Sequence, residues 1–208
     1  MRTRVKICGV TRAEDAVAAA DCGADALGLV FHPASPRAVT PEAAAEIARA
    51  VPPFVTVTAL FMDAERADVE RVLAALPVDL LQFHGSEAPE WCAAFGRHYI
   101  KAVPMGDTAD PAGYMARHRE AAGFLLDAHR SGAPGGGGSA FDWGRVPDAR
   151  DRPLILAGGL RPANVAEAVA RVRPWAVDVS TGVETAPGIK DKALMGAFIG
   201  EVQRGENV

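Results

Sequence analysis

The sequence predicts an α/β chain folded as a (β/α)8 TIM barrel, and three observations carry that expectation. Eight short apolar runs alternate without a break with segments of helical periodicity. The last two runs each end in small residues that expose backbone, Gly158-Gly159 and Ser180-Thr181-Gly182. No linker divides the 208 residues, so residues 1–208 are expected to form a single domain. About 26 residues per strand–helix unit lies at the compact end of the barrel range. A doubly wound open sheet would show similar alternation, but eight consecutive units with no reversal favour closure.

The strand candidates are Val5–Cys8, Ala26–Phe31, Val55–Phe61, Leu80–Phe83, Tyr99–Val103, Phe124–Asp127, Leu154–Ala157 and Ala176–Ser180. Aliphatic and β-branched residues fill nearly every position, as parallel strands buried on both faces require. The intervening segments carry helix punctuation. Thr11-Arg12-Ala13-Glu14 fits a capping box, and Gly23 is placed to end that helix. Thr40-Pro41 gives an N-cap followed by proline at the first helical position, Pro52-Pro53 closes that second helix, and Asp110-Pro111 opens a less regular fifth. Val69, Val72, Leu73 and Leu76 form one apolar stripe, and Trp91, Cys92 and Phe95 a shorter one. The sixth helix is reduced to a turn or two around Phe141–Arg145. Arg161-Pro162 opens the seventh, with Val165, Ala168, Val169 and Val172 as its buried face, and Met195, Phe198, Ile199 and Val202 give the last helix its own.

Composition excludes several classes of protein. A formal net charge of -4 with no basic block leaves no footprint for nucleic acid or an anionic membrane surface. No apolar run approaches the ~18 residues of a membrane span. Met1-Arg2-Thr3-Arg4 runs directly into a strand, leaving no room for a signal peptide. Cys8, Cys22 and Cys92 are odd in number and widely spaced, which fits reduced thiols in a cytoplasmic protein. No CxxC, HExxH or His/Cys cluster is present, so no metal site is expected.

Side chains at the C-terminal ends of barrel strands face the active site. That rule nominates Cys8, Arg37 (after the second strand), His84, Asp127 and Asp178. Cys8 is followed by Gly9, which leaves room for a ligand, whereas Cys22 and Cys92 lie on apolar helix faces and read as small buried hydrophobes. Asp127 ends an apolar run, where a carboxylate needs a partner or a purpose. Arg37 is suited to clamp a carboxylate, and Lys101 reads as a satisfied interior cation. Gly158, Gly159, Ser180, Thr181 and Gly182 form the expected phosphate cradle, since the loops after strands 7 and 8 are the usual phosphate site of these barrels. The run SGAPGGGGS at Ser131–Ser139 follows the strand that bears Asp127 and reads as a mobile lid.

In order along the chain stand VKICGVT at Val5–Thr11, GLVFHPASPR at Gly28–Arg37, LQFHGSE at Leu81–Glu87 and LLDA at Leu125–Ala128. They are followed by FDW at Phe141–Trp143, LAGGLRPANV at Leu156–Val165, VDVSTGVE at Val177–Glu184 and PGIKD at Pro187–Asp191. This succession resembles the phosphoribosylanthranilate isomerase family of tryptophan biosynthesis over nearly the whole chain. There are small departures. Phe83 stands where the family commonly has Leu, and Gly135–Gly138 with Ser139 stand where it shows Gly-Gly-Thr-Gly.

The resemblance implies an Amadori rearrangement of an aminoaldose to an aminoketose, without a cofactor, on a small phosphorylated substrate, by a monomer or homodimer. It assigns Cys8 as general base and Asp127 as general acid. Arg37 and His84 lie toward the anthranilate and Asp178 toward a ribose-derived hydroxyl. These roles require a site that favours the thiolate of Cys8 and raises the carboxyl of Asp127. Two rivals are another sugar-phosphate barrel and a non-catalytic phosphate-binding barrel. The first would have Asp in place of Cys8, or a catalytic Lys/Glu pair. The second would need neither Cys8 nor Asp127.

Overall fold

The pattern of buried aliphatic runs separated by capped helices is realised in a computed structural model that describes residues 2–133, 135, 140–148 and 151–207. Eight parallel strands pair in sequence order: β1 (Arg4–Cys8), β2 (Ala26–Val30), β3 (Thr56–Phe61), β4 (Leu80–Phe83), β5 (Tyr99–Pro104), β6 (Gly123–Asp127), β7 (Leu154–Leu156) and β8 (Ala176–Val179). β8 then pairs back onto β1, with Arg4 opposite Ala176 and Ile7 opposite Val179. The sheet is a closed barrel, and the open-sheet alternative is excluded.

Because successive side chains on a strand alternate faces, each strand divides its residues between the lumen and the helical layer. Ile100, Ala102, Leu125, Ile155, Ala157 and Ala176 form a small apolar cluster of their own, which plugs the lumen. The residues between them, including Tyr99, Val103, Phe124, Leu126, Leu156 and Val177, join the larger cluster packed against the helices. The lumen-facing series reaches the C-terminal mouth as Lys6 and Cys8 on β1, Gln82 on β4, Asp127 on β6 and Asp178 on β8, all buried.

The helices are α1 (Ala13–Cys22), α2 (Pro41–Ala50), α3 (Arg66–Ala75), α4 (Pro89–Ala93), α5 (Pro111–Arg117), α6 (Pro162–Val172) and α7 (Lys192–Glu206). Thr40 caps α2 by accepting from the Ala43 amide at 3.3 Å, and Asp110 caps α5 by accepting from Gly113 at 2.9 Å. Gly23 ends α1 at φ +99°, the left-handed conformation its position called for. The expected Thr11 capping box does not form. The N-cap is Arg12 without a side-chain cap bond, because the Thr11 hydroxyl donates instead to Gly188 O at 2.6 Å. The sixth crossover is a single 3₁₀ turn, Trp143–Arg145, as the sequence suggested. An unforeseen hairpin, β9 (Glu184–Ala186) with β10 (Ile189–Lys190), follows β8. Cys92 is buried as expected, whereas Cys22 is only half-buried and its thiol faces Lys192 O at 3.7 Å.

Lys101 is the satisfied interior cation anticipated. Fully buried on β5, it donates to Phe83 O at 3.2 Å, Gly85 O at 2.6 Å and Glu87 Oε2 at 3.0 Å. Glu87 Oε1 in turn accepts from the amides of Asp63 (2.9 Å) and Gly85 (3.2 Å), so this ion pair sets the path of the loop that carries His84. Removing one partner strands a buried charge. Lys101→Met is therefore expected to cost about 3–5 kcal/mol in urea denaturation, and Lys101→Met with Glu87→Leu to cost less than the single change.

Candidate active site

All ten residues nominated from the sequence line one cavity of about 330 Å³ at the C-terminal mouth: Cys8, Arg37, His84, Asp127, Gly158, Gly159, Asp178, Ser180, Thr181 and Gly182. Cys8 on β1 and Asp127 on β6 are separated by the arc of β7 and β8. The glycine and hydroxyl loops of those two strands fill that arc. An anion held there would lie between the thiol and the carboxyl.

On the β1 side, Lys6 Nζ donates to Asp178 Oδ1 at 2.7 Å, both groups being buried. Lys6 and Cys8 are two residues apart on one strand and share the lumen face. Gly28 opposite has no room for a Cβ, which would sit 2.7 Å from Cys8 Sγ and 3.0 Å from Lys6 Nζ. Burial tends to discharge Lys6, but the Asp178 carboxylate beside it outweighs burial and holds the ammonium. Burial also dominates at Cys8 and keeps the thiol protonated above its ordinary range, although Lys6 and Lys190 pull the other way. The free site therefore does not favour the thiolate, contrary to the expectation from its role.

On the β6 side, Asp127 Oδ2 takes two imidazoles, His84 Nε2 at 3.2 Å and His129 Nδ1 at 3.2 Å, while Oδ1 accepts the Ala128 amide at 2.8 Å. The two rings lie 4.4 Å apart, centroid to centroid. Burial alone would raise the carboxyl. The hydrogen bonds from His129 and His84 outweigh it and hold Asp127 well below the usual carboxylate range. This overturns the expectation of a raised carboxyl, because the sequence did not show two imidazoles converging on one oxygen. His84 itself is pushed down by burial, against the pull of Asp127. Its other nitrogen, Nδ1, meets Gln82 Nε2 at 3.1 Å.

Between these two sides lies the cradle. Gly158 and Gly159 adopt φ +79° and +64°, conformations that L side chains rarely take. A Cβ on Gly158 would sit 2.6 Å from the Ala128 amide and 2.8 Å from Asp127 Oδ1, and one on Gly182 would strike Leu160 O. Both turns need glycine for the close approach of backbone to backbone. Asn164 Oδ1 accepts the Arg161 amide at 2.8 Å and Asn164 Nδ2 donates to Gly159 O at 3.0 Å, which fixes the Gly-Gly turn to the start of α6.

Arg37 reaches the mouth from the loop after β2. Its Nε and Nη2 donate to Glu184 at 2.8 and 2.7 Å, and Nη2 also reaches Thr181 Oγ1 at 3.2 Å. Lys190 shares Glu184 at 2.6 Å and contacts Ser180 Oγ at 3.3 Å. Two cations on one carboxylate leave a local excess of one positive charge beside the cradle. Burial would raise Glu184, but Arg37 and Lys190 hold it ionised.

The sequence reading missed Lys6, Gln82, His129, Glu184 and Lys190. Lys6 and Gln82 were legible in principle, since each lies two residues before a nominated strand-end residue. Glu184 and Lys190 depend on a hairpin without a sequence signal. Among the described residues, His84, Asp127 and His129 also form the one group of three such side chains whose donor atoms all lie within 4.8 Å of one another. It is assembled from two strand ends and matches no contiguous motif. Of the proposed lid, residues 134 and 136–139 lie outside the described residues. Gly135 lines the cavity, and a Cβ there would sit 2.5 Å from Asp127 Oδ2 and 2.7 Å from His84 Nε2.

Fold and site together define a class: a (β/α)8 barrel whose mouth sets the glycine and hydroxyl turns after β7 and β8 between a thiol on one side and a carboxyl on the other. Residues 5–201 match the family described as N-(5'phosphoribosyl)anthranilate (PRA) isomerase, and the chain belongs to that family. An N-(5'-phosphoribosyl)anthranilate isomerase of Alcanivorax borkumensis is 56% identical over 207 residues, covering 96% of this chain and 95% of the relative. A solved phosphoribosyl anthranilate isomerase in complex with reduced 1-(o-carboxyphenylamino)-1-deoxyribulose 5-phosphate superposes with a TM-score of 0.83 at 38% identity, covering 97% of this chain and 98% of that one. Mutually generated monomers of the dimeric enzyme from Thermotoga maritima give a TM-score of 0.83 at 36% identity, with 97% and 98% covered.

The depressed Asp127 carboxyl makes a stability prediction with a definite sign. A carboxylate whose folded pKa is lowered contributes stability above its unfolded pKa of about 3.9 and loses it as pH falls toward the folded value. On acidification from about pH 5 to about pH 3, wild-type protein should therefore lose more of its urea-unfolding free energy than Asp127→Asn.

Proposed function

We propose that this chain isomerises N-(5-phosphoribosyl)anthranilate to 1-(2-carboxyphenylamino)-1-deoxyribulose 5-phosphate in tryptophan biosynthesis, by general acid–base catalysis between Asp127 and Cys8. The observation that carries this reading is the placement of the anion cradle on the arc between those two side chains, in a chain of the isomerase family. The substrate phosphate sits on Gly158, Gly159, Ser180, Thr181 and Gly182, where backbone N–H groups and hydroxyls meet it. The positive excess at Arg37 and Lys190 draws the anionic substrate inward, and the Arg37 guanidinium, held by Glu184, faces the anthranilate carboxylate. His84 lines the same side, and Asp178, fixed by Lys6, accepts a hydroxyl of the opened sugar.

The chemistry follows from these positions. Asp127 gives a proton to the furanose oxygen as the bond from C1 to that oxygen breaks, and the anthranilate nitrogen lone pair forms the C1–N double bond. Cys8 thiolate removes the C2 proton, and the electron pair moves into C1–C2 to give an enolamine. Asp127 then takes the O2 proton while Cys8 returns its proton to C1, which gives the ketone and restores both side chains, so atoms and protons balance within the substrate and the two side chains. Across residues 1–208 the barrel acts as one unit, cytoplasmic, as monomer or homodimer. Among the described residues no helix is long and apolar enough to cross a membrane.

The test is direct. Phosphoribosylanthranilate is generated in situ, and loss of its anthranilate fluorescence is followed after adding the protein. Wild type should accelerate the decay, while Cys8→Ser and Asp127→Asn should each lower kcat by about 10²–10⁴-fold with KM little changed. Near wild-type kcat in either variant would remove that residue from its role. A flat trace from folded wild type would reject the activity itself.

A further inference from the structure

Gln82 lies on β4, two residues before His84, so the two side chains share the lumen face. Its side chain is fully buried and lines the cavity. Nε2 faces His84 Nδ1 at 3.1 Å, while Oε1 is buried without any hydrogen-bond partner. A buried amide oxygen without a partner is destabilising, so its retention beside the site points to a use for it.

The hydrogen bonds on Asp127 supply one. With Gln82 Nε2 donating, His84 Nδ1 must accept. His84 then carries its proton on Nε2 and donates it to Asp127 Oδ2, which favours the ionised carboxyl. Oδ1 already accepts the Ala128 amide, so a proton on Asp127 belongs on Oδ2. There it needs a neighbouring lone pair. Rotating the Gln82 amide by half a turn brings the orphaned Oε1 to His84 Nδ1, moves the imidazole proton onto Nδ1 and leaves Nε2 free to accept from Asp127.

We propose that Gln82 is a positioning residue whose amide orientation selects the His84 tautomer and thereby decides whether Asp127 holds the proton that the reaction consumes. This deepens the proposed function and rests on Asp127 being its general acid. One orientation holds the acid ionised in the free site, and the other lets it stay protonated once substrate is seated. Beyond the amide only protons move: the imidazole proton shifts from Nε2 to Nδ1 and Asp127 Oδ2 takes the one that Cys8 gives up, while the ring stays in place because its loop is held through Lys101 and Glu87. The other titratable or charged groups acting on the pair are His129 from the loop after β6 and Lys101 from β5. His129 approaches the same Oδ2 and keeps the carboxyl ionised unless His84 offers a lone pair.

The experiment combines kinetics with nitrogen-15 NMR of His84. Gln82→Met keeps the shape and removes the acceptor. Its kcat should fall at least tenfold at neutral pH with KM within threefold, and its high-pH limb of kcat should move to lower pH. Gln82→Glu, which can only accept from Nδ1, should retain turnover and move that limb to higher pH. In wild type, the His84 proton should reside on Nε2 in the free protein and on Nδ1 with the reduced aminoketose product analogue bound, a reading that does not depend on any variant folding. Wild-type kcat and pH profile in folded Gln82→Met, or a His84 proton on Nε2 in both states, would overturn the proposal. Asp127→Asn, assayed alongside, separates the two readings: full activity there defeats the acid assignment itself, whereas an inactive Asp127→Asn beside an unperturbed Gln82→Met defeats only the role of Gln82.

Discussion

The pairing of β8 with β1 is the constraint on which everything else at the mouth depends. It sets Lys6 opposite Asp178, places Cys8 beside the loop that follows β8, and closes the lumen so that alternate residues on every strand converge on one space. Without closure, the carboxyl on β6 and the thiol on β1 would lie at distant positions of an open sheet. With it they stand on either side of β7 and β8, whose loops carry the cradle. The same pleat that buries Ile100, Leu125 and Ile155 in the lumen delivers Gln82, Asp127 and Asp178 to its open end.

Charge is arranged there in three small, nearly self-contained groups: Lys6 with Asp178 near Cys8, the two imidazoles on Asp127, and Glu184 shared by Arg37 and Lys190. Each keeps a buried ion partnered, which the low dielectric of the interior demands. The consequence is a resting site with a protonated thiol and an ionised carboxylate. The proposed roles of Cys8 and Asp127 need the reverse distribution but the same total number of protons. Under those roles one proton moves between the two sides when substrate binds, and the Gln82–His84 contact lies next to the group that receives it.

Much of the fold was legible because a parallel barrel writes itself as buried runs of 3–6 residues with helix caps between them, and Thr40, Asp110, Gly23 and the Gly158-Gly159 turn all behaved as their local chemistry required. Strand-end position was enough to nominate Cys8, Asp127 and Asp178. The Thr11 box failed because a tertiary acceptor, Gly188 O, competed successfully for a hydroxyl whose local pattern looked complete. The protonation states of Cys8 and Asp127 were illegible for a different reason. They depend on desolvation and on partners such as His129 and Lys6, which the fold brings within hydrogen-bonding distance and whose effect spacing alone does not reveal.

The central claim is that acid and base rest in the opposite protonation states from those used in catalysis, and the pH profile of kcat/KM, which reports the free enzyme, tests it most directly. A pair sharing one proton, with the carboxyl low and the thiol high, predicts a flat profile between about pH 6.5 and about pH 8.5, with the alkaline fall absent or displaced in Cys8→Ser. A limb inside that window which disappears in Cys8→Ser or Asp127→Asn would contradict the account, since the free site would then already hold a lowered thiol or a raised carboxyl.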